Sequence, residues 1–225
     1  MKSFLAFTLL GPLSGLFLFA SQAQALELLI LGGPTISDPS FTQSSQEGIN
    51  TVTNSATASG VGFTVGVLAR IPISDAFQLE TGLSYLQRNY TISVIGSLNY
   101  SFDETLKGIH IPVLVRTHLI ENLSVGLGGY FVHELGDVYD TNLVVDNNSE
   151  PDQANSYNAD QYNRNDFGLE GSIAYDLPVL PQFGDFYSLT VDIRYLFGLT
   201  NFGSGSATSL NTRDVLFTAG VRLRL

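Results

Sequence analysis

Successive stretches of this chain alternate apolar and polar residues, and that period of two restricts them to β-strands that are greasy on one face only. The clearest runs from Phe186 to Phe197. Tyr187, Leu189, Val191, Ile193, Tyr195 and Phe197 form one series, and Ser188, Thr190, Asp192 and Arg194 form the other. A strand turns successive side chains to opposite sides, so one face is apolar and the other carries charge. Repeated segments of about ten residues with this alternation are the pattern of a membrane-spanning β-barrel.

Eight such strands are expected. They are Leu26 to Ile36, Gly60 to Ile71, Phe77 to about Thr91, Thr105 to Leu119, Asn122 to Leu135, Asp166 to Leu177, Phe186 to Phe197, and Asp214 to Leu225. The connections alternate in length. Ser37–Ser59, Ser93–Glu104, Gly136–Asn165 and Leu199–Arg213 are medium to very long. Pro72–Ala76 and Ile120-Glu121 are short, and Leu177–Asp185 carries Pro178 and Pro181. Barrels of the outer membrane have short periplasmic turns and longer extracellular loops. With both termini periplasmic, the four long connections face outward. The expected fold is therefore all-β: an eight-stranded antiparallel up-and-down transmembrane β-barrel.

Residues 1–25 read as a cleaved signal peptide. Lys2 precedes the mostly apolar run Phe4 to Ala20, and Ala23-Gln24-Ala25 is a small-x-small cleavage site. The barrel domain is then 26–225. The formal charge is −11, and loss of Lys2 makes the mature chain −12, with Lys107 its only lysine. An anionic chain without a basic stripe is no nucleic-acid binder. There is no cysteine, which excludes disulfides, Cys-based zinc sites and a lipid-modified N-terminus. No other apolar run approaches the ~20 residues of a membrane helix.

Polar residues of the second series are expected to line the interior. Glu80, Glu170 and Asp192 would pair there with Arg70, Arg116, Arg194 and Arg222. The bore of an eight-stranded barrel is just wide enough to be filled by side chains, so a salt-bridged plug outweighs an ion path.

The segment Gly108-Ile109-His110-Ile111-Pro112-Val113-Leu114-Val115 resembles the Ile-Pro strand of the porin-family (PorT-like) outer-membrane β-barrel proteins, common in the Bacteroidota. Gly126-Leu127-Gly128-Gly129-Tyr130 is similar to the glycine-rich strand that follows. Asn165-Asp166-Phe167-Gly168 and Arg194-Tyr195-Leu196-Phe197-Gly198-Leu199-Thr200-Asn201 resemble the next two signatures, and the resemblance covers Leu29 to Leu225. Two departures stand out: the chain closes on Leu225 rather than an aromatic residue, and Pro34 falls in the first strand, which fits only a strand end or edge. The resemblance implies fold and an outer-membrane location. It implies no single activity, because fold does not fix function.

The candidate chemistry is sparse. Asp137, Asp140, Asp146, Glu150, Asp152, Asp160 and Asp166 crowd in or beside one connection. Oxygen-rich loops hold Ca²⁺, but Asp146–Asp152 lacks the glycine and terminal Glu of an EF-hand, so a solvated acidic loop is the stronger reading. Tyr139, Tyr157 and Tyr162 fit a contact surface. The histidines are His110, His118 and His133, and none is paired with a nucleophile by any sequence motif. No catalytic, cofactor or metal residue is assigned.

The expected partners are outer-membrane lipid, the barrel assembly machinery and a protein met through the outer loops. The expected role is structural or surface-interacting, without an open pore. Two alternatives stand beside it: an accessory barrel of a secretion or envelope-assembly machine, and a soluble lipocalin-like barrel with its apolar face inside.

Overall fold

The computed structural model describes the backbone of residues 26–38, 40–47, 50–95, 100–135, 139–140, 144–145, 148–149, 164–177, 187–200 and 208–225. Residues 1–25, expected to be a signal peptide, lie outside them. Eight strands form the wall: β1 Glu27–Ser37, β2 Asn50–Pro72, β3 Phe77–Ile95, β4 Tyr100–Ile120, β5 Leu123–Glu134, β6 Asn165–Leu177, β7 Tyr187–Gly198 and β8 Arg213–Arg224. Each pairs antiparallel with the next, and β8 returns to β1. The sheet is closed, so the barrel wall leaves no edge to pair with a stranger.

The register fixes the barrel's shape. A path of cross-strand partners runs Glu27, Arg70, Glu80, Leu114, Gly128, Glu170, Leu196, Asp214 and back to Ser37. It leaves β1 at residue 27 and rejoins it at residue 37, a stagger of ten residues. Such stagger goes with strands tilted about 35–45° from the axis. Apart from Gly128, the residues on this path are all buried.

The two faces have opposite chemistry. Outward positions such as Val61, Leu83, Leu127, Ile173 and Ile193 are among the most exposed apolar residues, Leu127 at 71%. Inward positions carry Arg70, Glu80, Arg116, Glu170, Asp192 and Arg194, all buried. This overturns the soluble lipocalin-like alternative, which needs the apolar face inside. A wall this apolar is stable only against lipid.

Three strands are longer than the alternation predicts. β2 starts at Asn50 rather than Gly60, β3 continues to Ile95, and β4 begins at Tyr100. The stretches read as connections also hold strands: Ser40–Glu47 pairs with β2 and with Thr208–Asn211. Apolar alternation marks only the part of a strand that meets lipid, so a strand outside the membrane is polar and reads as a loop.

That boundary is visible on the outer face. Along β3 and β4, apolar Tyr85 and Ile109 give way to Gln87, Asn89 and Thr105. Gln87 Nε2 donates to Asn89 Oδ1 at 3.1 Å, Thr105 Oγ1 to the same oxygen at 3.2 Å, and Thr91 Oγ1 to Asp103 Oδ1 at 2.7 Å.

Pro34 sits inside β1, not at its end, and pairs with Phe63 of β2. The register toward β8 skips Gly33 and Pro34 and resumes at Thr35. A proline has no N–H to donate, and the ladder is interrupted on one side only. Gly33 lies against the Phe217 carbonyl there, leaving no room for a Cβ.

Candidate functional site: the charged lumen

Every strand contributes alternate residues to the interior, so the lumen is built from all eight. Among the described residues two charged clusters stand out in it, beside a smaller group of Arg222, Asp176 and Glu27 nearer the turns. The first sits midway. Glu80 Oε2 accepts from Arg70 Nε at 2.7 Å and Arg116 Nε at 2.9 Å, and its Oε1 accepts from Arg194 Nη2 at 2.7 Å. Arg194 also reaches Glu170 at 2.9 Å and Asp192 at 2.6 Å. Ser172 donates to Asp192 at 2.6 Å, and Arg116 donates to Ser172 and Ser124 at 2.6 and 3.0 Å.

Three guanidinium groups thus face three carboxylates, and the Ser124 and Ser172 hydroxyls add to the pairing, while Arg70 Nη1 and Nη2 and Arg194 Nε are left without a hydrogen-bond partner. Desolvating charge is costly, and only dense pairing with extra hydrogen bonds offsets it. The expected partners Glu80, Glu170, Asp192, Arg70, Arg116 and Arg194 are brought together. Arg222 is not among them. It lies nearer the turn end, donating to Asp176 at 2.9 Å, with Glu27 at 3.5 Å.

One arrangement has no signature in the sequence. Ser84 Oγ lies 2.9 Å from His110 Nδ1, and His110 Nε2 lies 2.9 Å from Glu170 Oε2. The sequence offers no pairing for His110, because its partners are 26 and 60 residues away. The three have the order of a nucleophile relay. Ser84 sits mid-strand between Gly66 and His110 in register, so neighbouring backbone N–H groups are committed to the ladder. An acyl-transfer site needs free N–H donors aimed at a developing oxyanion. Here the relay holds His110 in place and ties β3, β4 and β6 together.

The second cluster closes the outer end. Arg88, 1% exposed, donates Nε to Asp214 at 2.8 Å, Nη1 to Glu134 at 3.1 Å and Nη2 to Asp166 at 3.2 Å. Asp166 also accepts from Tyr130 at 3.0 Å, Thr212 at 2.9 Å and Thr200 at 2.8 Å. The Tyr130 ring lies over Gly168, where any Cβ would collide with it. Ser37 donates to Asp214 at 2.6 Å.

Asp166, expected beside the acidic connection at the start of a strand, lies in that strand with its side chain buried in the lumen. The side chains of Asp137, Asp140, Asp146, Glu150, Asp152 and Asp160 lie outside the described residues. The signal for the outer cluster was present in the alternation. Arg88 shares the inward series of Glu80, and Asp166 and Asp214 share those of Glu170 and Thr218.

A closed eight-stranded barrel with an apolar wall and a filled, charged lumen defines an integral outer-membrane protein. The chain belongs to the outer membrane protein beta-barrel domain family, which it matches over residues 20–203, and it resides in the bacterial outer membrane. No curated protein matches the sequence. Among solved structures it is similar to the outer membrane protein OprG from Pseudomonas aeruginosa, at 14% identity over 90% of this chain and 97% of that one, with a TM-score of 0.53. The outer membrane protein AlkL, solved in DMPC bilayers, matches at 9% identity over 90% and 92%, TM-score 0.47. Neisserial surface protein A matches at 13% over 88% and 97%, TM-score 0.40. At such identity the likeness to OprG speaks for the fold.

Proposed function

We propose that this small outer-membrane barrel is a structural and surface-interaction protein that conducts no solute along its axis and catalyses no reaction. The observation that carries the reading is the mid-lumen cluster. Arg70, Glu80 and Arg116 are 0% exposed, so charged side chains fill the cross-section where a pore would run. An open aqueous channel belongs to barrels of about sixteen strands. The outer connections, acidic and tyrosine-bearing, are then the part available for contact with a partner. Planar-bilayer recording tests the closed axis: the expected result is no stable conductance, and reproducible single-channel steps would overturn it. Pull-down of the intact protein from its native membrane tests the contact role.

A second reading has one support. The motifs Gly108–Val115, Gly126–Tyr130, Asn165–Gly168 and Arg194–Asn201 resemble PorT-like barrels, which favours an accessory barrel of a secretion or envelope-assembly machine. Co-purification with inner-envelope components, rather than with extracellular material, would favour this reading over the first.

A further inference from the structure

Three outer connections begin or end at the Arg88 cluster. Glu134 and Asp166 flank the connection between β5 and β6. Asp214, Thr212 and Thr200 flank the one between β7 and β8, and Ser37 stands where β1 gives way to the first. The backbone repeats the arrangement. Glu134 N donates to Arg164 O at 2.8 Å, Leu199 N to Phe167 O at 2.8 Å, Gly198 N to Thr212 O at 2.8 Å, and Asp38 N to Arg213 O at 2.8 Å.

We propose that Arg88 is a positioning residue, a latch that fixes the bases of these three connections relative to one another while barrel closure rests on the mid-lumen cluster. Three features carry the inference. One planar guanidinium spends its three nitrogens on three carboxylates from three different strands. Guanidinium is the side chain suited to that fork, whereas an ammonium is a point charge. All three carboxylates are strand-terminal or next to it, so they contribute at the loop bases. And the hydroxyls of Ser37, Thr200 and Thr212 connect each base to the same centre. The latch deepens the surface-interaction reading, on which its functional consequence rests. Its existence is tested without a partner.

The test is limited digestion of the detergent-folded protein by a broad-specificity protease, with cut sites mapped by mass and the barrel followed by mobility of unboiled against boiled samples. Arg88→Met should keep the mobility shift and speed cutting within 38–49, 136–163 and 199–211 by about tenfold, because local opening at those bases becomes easier. Arg88→Lys should recover only part of the protection. Thr200→Val should speed cutting in the last two segments alone, and Ser37→Ala in the first alone. Cutting equal to wild type in all variants overturns the latch. So does an Arg88→Met chain that fails to close, since Arg88 would then hold the wall itself. Failure of the pull-down with intact latch behaviour would count against the surface role and leave the latch standing.

Discussion

The two charged clusters of the lumen differ in balance and in what they join. Midway, Arg70, Arg116 and Arg194 face Glu80, Glu170 and Asp192, one cation to one anion. At the outer end, among the described residues, Arg88 faces three carboxylates, those of Glu134, Asp166 and Asp214. The balanced cluster neutralises itself in a place water does not reach. The unbalanced one leans on neutral donors, Tyr130, Thr200, Thr212 and Ser37, to hold its excess negative charge. The first joins residues within the strands on the turn side of the barrel, and the second ties one mid-strand guanidinium to carboxylates at or next to strand ends on the loop side. A charge network deep in a barrel has to be self-sufficient, whereas one at the rim is free to serve the loops.

The largest expected effect breaks the balanced side. Glu80→Leu leaves three buried guanidinium groups short of a partner and should cost about 3–5 kcal/mol, the usual loss when one member of a buried pair goes. The urea midpoint of the mobility shift measures it, and an unchanged midpoint would sink the claim that this cluster closes the lumen. Glu170→Leu should also destabilise strongly, by about 3 kcal/mol, while Gln182→Leu in the β6–β7 connection should stay within about 0.5 kcal/mol. Equal midpoints for that pair would reject the inward assignment of Glu170.

Next in size is Gly168→Ala. The added methyl meets the Phe197 carbonyl of the neighbouring strand first and the Tyr130 ring next, so it should strain the β6–β7 ladder and press the tyrosine hydroxyl away from Asp166, with a cost of about 1–3 kcal/mol typical of overpacking. Tyrosine fluorescence should report the displaced ring.

Glu134→Gln sharpens the comparison. The amide oxygen still accepts from Arg88, and one of three crowded negative charges disappears, so stability should change by less than about 1 kcal/mol. Glu80→Gln, the same chemical change in the balanced cluster, should cost clearly more. If the two cost the same, the distinction between the clusters fails.

The smallest effect concerns the acidic connection. Deleting Asp146–Asp160 should leave the mobility shift intact, because surface loops tolerate change. Calorimetry with Ca²⁺ should show no saturable heat if the loop is only solvated, and saturable heat would move it to the ion-binding reading.

Much of the barrel was legible before any coordinate. Leu189, Val191 and Ile193 against Thr190, Asp192 and Arg194 already state which face meets lipid, once burial is assigned. The mid-lumen partners were legible too, since each lies inside an alternating strand and the bore is narrow. His110 with Ser84 was not, nor Arg88 with its three acids. Asp166 stands at the start of its strand as expected, but nothing in the sequence pairs it with Arg88, 78 residues away.

The sequence by itself determined the strands that cross the lipid and the sign of each face, because lipid contact imposes apolar residues at every second position. Only the tertiary structure decided the stagger, the extent of the polar strands beyond the membrane and the choice of ionic partners. Those depend on which residues of distant strands lie level around the ring, from Glu27 through Arg70 and Glu80 back to Ser37. A period of two specifies faces but not levels, and pairing in a lumen is a matter of level.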